Sequence, residues 1–259
     1  MKLSLYQVDA FSAHVFGGNP AAVCPLQHWL SDEAMQKLAM ENNLSETAFF
    51  VPEQDGFGLR WFTPTTEVSL CGHATLATAH VLFEHLGYSQ KTINFYTKSG
   101  KLIVQKEGNR IQMNFPIDEM EKVEAPPVLM QSLGVREGEV YKSDDYMIVL
   151  GREEDVANLE PNFSMLSEVK TRGVIVTAPG NSADYVLRFF APQSGINEDP
   201  VTGSAHTKLV PYWAKKLGKN EFEARQISKR VGEMSCRLKG NRVEILGNAI
   251  TYLKGVIEF

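Results

Sequence analysis

Several things are scarce in this 259-residue sequence, and each scarcity excludes a class of protein. It holds three cysteines, Cys24, Cys71 and Cys236, widely separated and with no C-x-x-C pair. That argues against a disulfide framework or a structural zinc site and suits a reducing compartment. No apolar run approaches the length that spans a bilayer, and residues 1–11 lack the continuous apolar segment of a signal peptide. No basic cluster offsets the net charge of -5, which disfavours nucleic acid as a partner. The expectation is a cytoplasmic protein touching neither membrane nor nucleic acid.

Nucleotide motifs are missing as well. There is no G-x-G-x-x-G, no P-loop and no G-x-S-x-G elbow. His14, His28, His73, His80, His85 and His206 form no H-E-x-x-H or comparable ligand set. The expectation is chemistry by ordinary side chains, with no metal and no cofactor.

What is present is ordinary globular composition, 43% hydrophobic and 22% charged, long enough for two cores. Alternation predicts an opening strand over residues 1–10, and VFGGNPAAV (15–23) reads as a turn-rich loop. Ser31 is a predicted N-cap for a helix running to about Asn42, after which TAFFV is strand-like, placing Glu46 at a helix-to-strand junction. PIDEMEKVEAPP (116–127) reads as an exposed linker, giving lobes 1–118 and 119–259, the last strand being able to cross back to the first lobe. A hairpin turn is expected over residues 239–242.

The most informative feature is an internal repeat. RWFTP (60–64) is echoed by RFFAP (188–192), and residues 67–87, EVSLCGHATLATAHVLFEHLG, align with residues 198–218, EDPVTGSAHTKLVPYWAKKLG. Arg, Phe and Pro coincide in the first pair; Glu, Gly, Ala, Leu and Gly coincide in the second. Each copy reads strand, turn, Gly-x-Ala, helix, Leu-Gly stop, as duplicated domains would. The helix after Gly72 is apolar on nearly every side and so should be enclosed. In the second copy Pro211 should kink the helix or remove a backbone bond.

Gly72 and Gly203 each open a predicted helix, whose unpaired N–H groups and partial positive charge suit a carboxylate or an enolate-like anion. Both glycines could equally serve close packing. His73 beside such a turn is a candidate site residue; Asp199 could be only a turn former, and Glu46 has the weakest local signal. Cys71 invites a thiol base, but the repeat sets Thr202 where a symmetric two-thiol racemase needs its partner.

FGGNPAAV, NLSETAFF around Glu46, LCGHATLA around His73 and GINEDPVTGSA around Asp199 and Ser204 occur in order along the chain. On these motifs the sequence resembles the PhzF-like phenazine-biosynthesis family, within the diaminopimelate epimerase-like superfamily. The resemblance implies an α+β fold of two pseudo-symmetric domains, each a curved mixed sheet around a central helix, with the site in the cleft between them, and a homodimer. It implies a cofactor-independent isomerase that shifts a proton between carbons of a small carboxylic acid. Glu46 would be the acid/base, His73 and Asp199 its catalytic companions, and Ser204, Gly72 and Gly203 substrate contacts. The family's named reaction isomerises a dihydro-hydroxyanthranilate. Two other readings stand beside it: a Cys71-dependent racemase or epimerase, and a non-catalytic small-anion-binding or interaction module.

Overall fold

A computed structural model describes all of residues 1–259. The chain divides into two compact units. One comprises Met1–Asn114 and Glu244–Phe259, the other Phe115–Val243. The strand Arg110–Pro116 carries the chain out of the first unit, and Arg242–Gly247 brings it back.

In the first unit, the opening strand Lys2–Ala10 pairs antiparallel with both Asn19–Pro25 and the C-terminal strand Ala249–Glu258. Asn19–Pro25 corrects the loop reading of VFGGNPAAV. Its residues 21–24 are fully buried, and their pairing against residues 6–8 outweighs the turn signal of Asn19 and Pro20. Helix α1, Asp32–Asn42, begins at Ser31, whose hydroxyl accepts from the Ala34 amide, and stops at Asn43 in the left-handed region. The chain then enters the strand Glu46–Glu53, parallel to Asn19–Pro25 and antiparallel to Gly56–Phe62.

Residues Cys24, Leu26, Phe49, Val51 and Phe62 turn one way, toward Met35, Leu38 and Ala39 of α1. Helix α2, Gly72–Glu84, buries nine of its residues, including His73, Thr75 and Thr78. Thr75 and Thr78 return their hydroxyls to the carbonyls of Cys71 and Ala74, so neither leaves a polar group unpaired in the core.

The second unit follows the same plan. Strands Tyr146–Val149, Val174–Pro179 and Tyr185–Ala191 form its centre. Val174, Val176, Ala178, Val186 and Phe190 pack with residues of α3 (Pro127–Leu133), α4 (Glu153–Ala157) and α5 (Phe163–Leu166). The alternate residues Thr177 and Tyr185 meet α6, His206–Leu217. There Trp213 donates to Thr177 Oγ1 at 3.2 Å and stacks on Tyr185 at 5.7 Å. Strands covered on both faces are rich in apolar residues on both, as these are.

Two expectations change here. PIDEMEKVEAPP is not a linker between lobes. Glu121–Lys122 pairs with Tyr141 and Lys142, the Val123 amide donates to Val140 O, and Val123 and Ala125 pack on the core of the second unit. Gly203 does not open the second helix either: Gly203–Ala205 is a single 3-10 turn, and α6 starts at His206. Pro211 lies inside α6 and cannot serve the Thr207 carbonyl four residues back; the Asp118 amide donates to that carbonyl instead, at 3.1 Å. The repeat is physical. Arg60 holds Glu67 through Nε and Nη2, both at 2.8 Å, and Arg188 holds Glu198 through the same two atoms at the same distances.

Candidate active site

Glu46 is the first residue of its strand and His73 the second residue of α2. The fold brings Glu46 Oε2 to 3.1 Å from His73 Nε2, with the two side chains 13% and 6% exposed. The atoms are close but out of line, and neither makes a hydrogen bond. On the other side of the ring, Nδ1 lies 3.3 Å from Asn19 Nδ2 and 3.5 Å from Cys71 Sγ. In the neutral ring, with Asn19 donating to Nδ1, the proton belongs on Nε2, facing the carboxylate.

The electrostatics follow from burial and neighbours. Desolvation alone would push the His73 imidazole down, but Cys71 and the Glu46 carboxylate outweigh it and hold the group well above its ordinary value. Burial pushes the Cys71 thiol up to about 11, and Glu46 adds to that; His73 opposes it only in part. The cysteine at the N-terminus of α2 is therefore a neutral thiol at neutral pH, whatever its position promises. The side chain of Cys71, the N-cap residue, makes no capping hydrogen bond. Ligand atoms of Glu46, Cys71 and His73 all lie within 4.8 Å of one another, the spacing of a cation-binding trio, although the spacing of histidines in the sequence predicts none.

Asp199, Gly203 and Ser204 lie in the second unit. Asp199 ends the strand Ile196–Asp199, and its Oδ2 accepts from Thr202 Oγ1 at 2.6 Å. Gln226 clasps the loop. Its Nε2 donates to Asp199 O at 2.6 Å, and its Oε1 accepts from the Thr202 amide at 2.7 Å. Ser204 Oγ accepts from Arg172 Nη1 at 3.2 Å. Arg172 is itself held by the fully buried Asp145, by Asp144 at 3.3 Å, and over the Phe189 ring at 5.5 Å. Asp145 also meets Lys208 at 3.1 Å, an ammonium only 3% exposed that has Asp118 and Asp144 as further partners.

Asn19, Arg172 and Gln226 were missed in the sequence. Asn19 read as a turn former, and nothing local marks the other two, because their partners lie far away along the chain.

The PhzC-PhzF family, described as phenazine biosynthesis-like protein, matches residues 8–255. An uncharacterized isomerase of Pseudomonas aeruginosa is 50% identical, the alignment covering 99% of each chain. One of Halalkalibacterium halodurans is 49% identical over 98% of each. The crystal structure of a PhzF family protein from Enterococcus faecalis superposes with a TM-score of 0.98 over the whole of both chains, at 46% identity. By a match that spans nearly every residue, and by relatives named isomerases along its full length, the chain belongs to the phenazine biosynthesis-like PhzC-PhzF family.

Proposed function

We propose that the protein is a cofactor-independent isomerase of a small carboxylic acid, with Glu46 as the group that exchanges a proton with substrate carbon. The observation that carries this reading is the Glu46–His73 contact: a carboxylate oxygen and a ring nitrogen at 3.1 Å, both buried, both with hydrogen-bonding capacity unspent. Buried polar atoms are rarely left unpaired, and a polar group of a substrate is one partner that would complete these two. In the forward step the Glu46 carboxylate takes a proton from a carbon next to an electron-withdrawing group. The C–H bonding pair moves into the adjacent π system, and the protonated carboxyl returns the proton at a second carbon. One C–H bond breaks and one forms, so no oxidant or reductant is required. His73, held near its charged form, stabilises the carboxylate between transfers. Asp199 and Ser204 keep the roles the resemblance implies, as a companion catalytic group and a substrate contact.

The thiol alternative is opposed by the neutral, desolvated state of Cys71 and by Thr202, which is engaged with Asp199 where a second thiol would stand. The decisive experiment incubates the protein with a panel of small cyclic and amino carboxylic acids in heavy water. Product formation and deuterium incorporation are both followed by NMR. Turnover of one acid by the wild type and its loss in Glu46→Gln, with the fold retained, is the expected result. Near-normal turnover in that variant overturns the assignment, and acid binding with neither product nor exchange across the panel favours the non-catalytic module.

A further inference from the structure

The C-terminal strand Ala249–Glu258 is paired on one side only. The opening strand runs antiparallel beside it, from Lys2 against Glu258 to Ala10 against Ala249, and no strand lies along its other edge. Met1 and Phe259 exchange backbone hydrogen bonds. The alternation of an antiparallel ladder then turns the amides and carbonyls of Leu253, Gly255 and Ile257 toward the opening strand. Those of Lys254, Val256 and Glu258 point outward, where no backbone group meets them. Such an edge is a template for a further strand. Residues 253–259 contain no proline, and the one break in register, at Tyr252, precedes them. Along this edge Tyr252, Leu253, Val256 and Phe259 are between 41% and 62% exposed, which a strand buried on neither face does not need.

We propose that a second copy of this chain docks here, the two C-terminal strands pairing antiparallel about a two-fold axis at Val256. The sequence of the strand is complementary to itself in that register. Val256 faces the partner's Val256, Leu253 faces the partner's Phe259, and Lys254 faces the partner's Glu258. Each exposed apolar side chain from 253 onward thus meets an apolar one, and each charge meets its opposite. Of the antiparallel registers available to the edge, this one alone sets Lys254 against Glu258. It also joins Lys254, Val256 and Glu258 through the very backbone groups that point outward, as hydrogen-bonded pairs. The two-fold axis repeats each contact, as a closed dimer requires. Charge alternates across the seam. Lys2 Nζ already lies 2.9 Å from Glu258 Oε1, so each glutamate would stand between its own Lys2 and the partner's Lys254. Lys254 Nζ rests 5.7 Å from the centre of the Tyr6 ring, on the same face. The resemblance implies a homodimer without saying which surface makes it; the strand edge supplies the surface and the register.

The test is sedimentation velocity of the full chain at micromolar concentrations, where the wild type should be a dimer. Val256→Pro removes an amide that points away from the opening strand, so the fold should stand while the dimer is lost. Lys254→Glu sets like charges against each other twice and should weaken association by about tenfold. Combining Lys254→Glu with Glu258→Lys restores opposite charges and should recover it. Val256→Cys should form an intermolecular disulfide on mild oxidation, since facing residues of a hydrogen-bonded pair have Cα atoms about 5.5 Å apart. The three native cysteines are buried and stay out of that reaction. Ser4→Cys, one strand further in, should not cross-link. A monomeric wild type overturns the proposal, as does a dimer that survives Val256→Pro, ignores Lys254→Glu or fails to cross-link through Val256→Cys. Circular dichroism of each variant separates a lost interface from a lost fold. No substrate enters these measurements, so their failure leaves the isomerase reading untouched, and the converse holds.

Discussion

Nε2 of His73 stands 3.1 Å from Oε2 of Glu46, although one belongs to the first turn of a helix and the other to the start of a strand. The pair makes a statement about stability as well as chemistry. His73 in the fold binds its proton more tightly than a free imidazole. Its contribution is therefore complete below about pH 6.5 and is lost as pH rises through the raised value. Glu46→Gln should destabilise the protein more at pH 6 than at pH 9, the difference changing by at most about 1.4 kcal/mol per pH unit. Denaturant titrations of both proteins across that range check it; a gap independent of pH would show that no charged pair forms.

His206 carries the opposite sign. It is wholly buried, its Nδ1 lies 2.8 Å from the Tyr185 hydroxyl, and desolvation lowers its pKa to about 3. Between pH 6.5 and about 3 the unfolded chain binds a proton that the fold refuses, so stability falls as pH falls, by up to about 1.4 kcal/mol per unit from this group. His80, lowered to about 4 by burial, adds to the same limb. His206→Asn keeps an acceptor for Tyr185 and should flatten the acid side of the stability profile in part. An acid limb as steep as in the wild type would remove His206 from the account.

Cys71→Ala separates the carboxylate mechanism from the thiol mechanism. With the thiol held neutral by burial, turnover in the variant should fall by less than about tenfold, against the 10²–10⁴ that loss of an acid/base group costs. The native protein should also react slowly with maleimide at Cys71 at pH 7, measurable by mass spectrometry of the labelled peptide. A drop of a thousandfold in Cys71→Ala would transfer the role of base to the thiol.

Arg188 does more than pair with Glu198. Its Nη1 also reaches the carbonyls of Val156, Ala157 and Leu159 at 3.3, 3.3 and 2.8 Å, at the end of α4. Lysine cannot reproduce that fork. Arg188→Lys should cost about 2 kcal/mol by thermal or denaturant unfolding, from a lost charge-assisted contact and buried carbonyls left without a donor. Stability equal to wild type would mean that water replaces the guanidinium at no cost.

Gln226, fully buried, is the clasp of the Asp199 loop. Gln226→Leu leaves the Thr202 amide without its carboxamide acceptor and withdraws a donor from Asp199 O. It should destabilise by about 2–3 kcal/mol. If Asp199 takes part in turnover, the variant should lose activity at temperatures where it is still folded. Full activity with lowered melting would confine Gln226 to a structural role.

The elements were legible where the chain's own neighbours decide them. Ser31 capping α1, Asn43 ending it, the enclosed helix after Gly72 and the turn at residues 239–242 all depend on contacts a few residues apart. The repeat was visible too, in the matching Arg60 and Arg188 and the matching Glu67 and Glu198, because duplication preserved the letters themselves; that each arginine holds its glutamate is seen only in the fold. The strand at Asn19 and the paired Glu121–Lys122 were misread because turn-forming residues there are overruled by partners that local sequence does not contain.

By itself, then, the sequence determined the family resemblance, the periodicities and the inventory of candidate groups: which carboxylates, imidazoles and thiols exist and on what kind of element each sits. Tertiary structure decided their chemical states. Only packing takes water from Cys71 and makes it a poor acid, sets a carboxylate against His73 and makes it a better base, and sends the Asp118 amide to the carbonyl that Pro211 cannot serve. The reason is physical. Desolvation and Coulomb energy depend on distances through space, and those are fixed only when segments remote in sequence have closed upon one another.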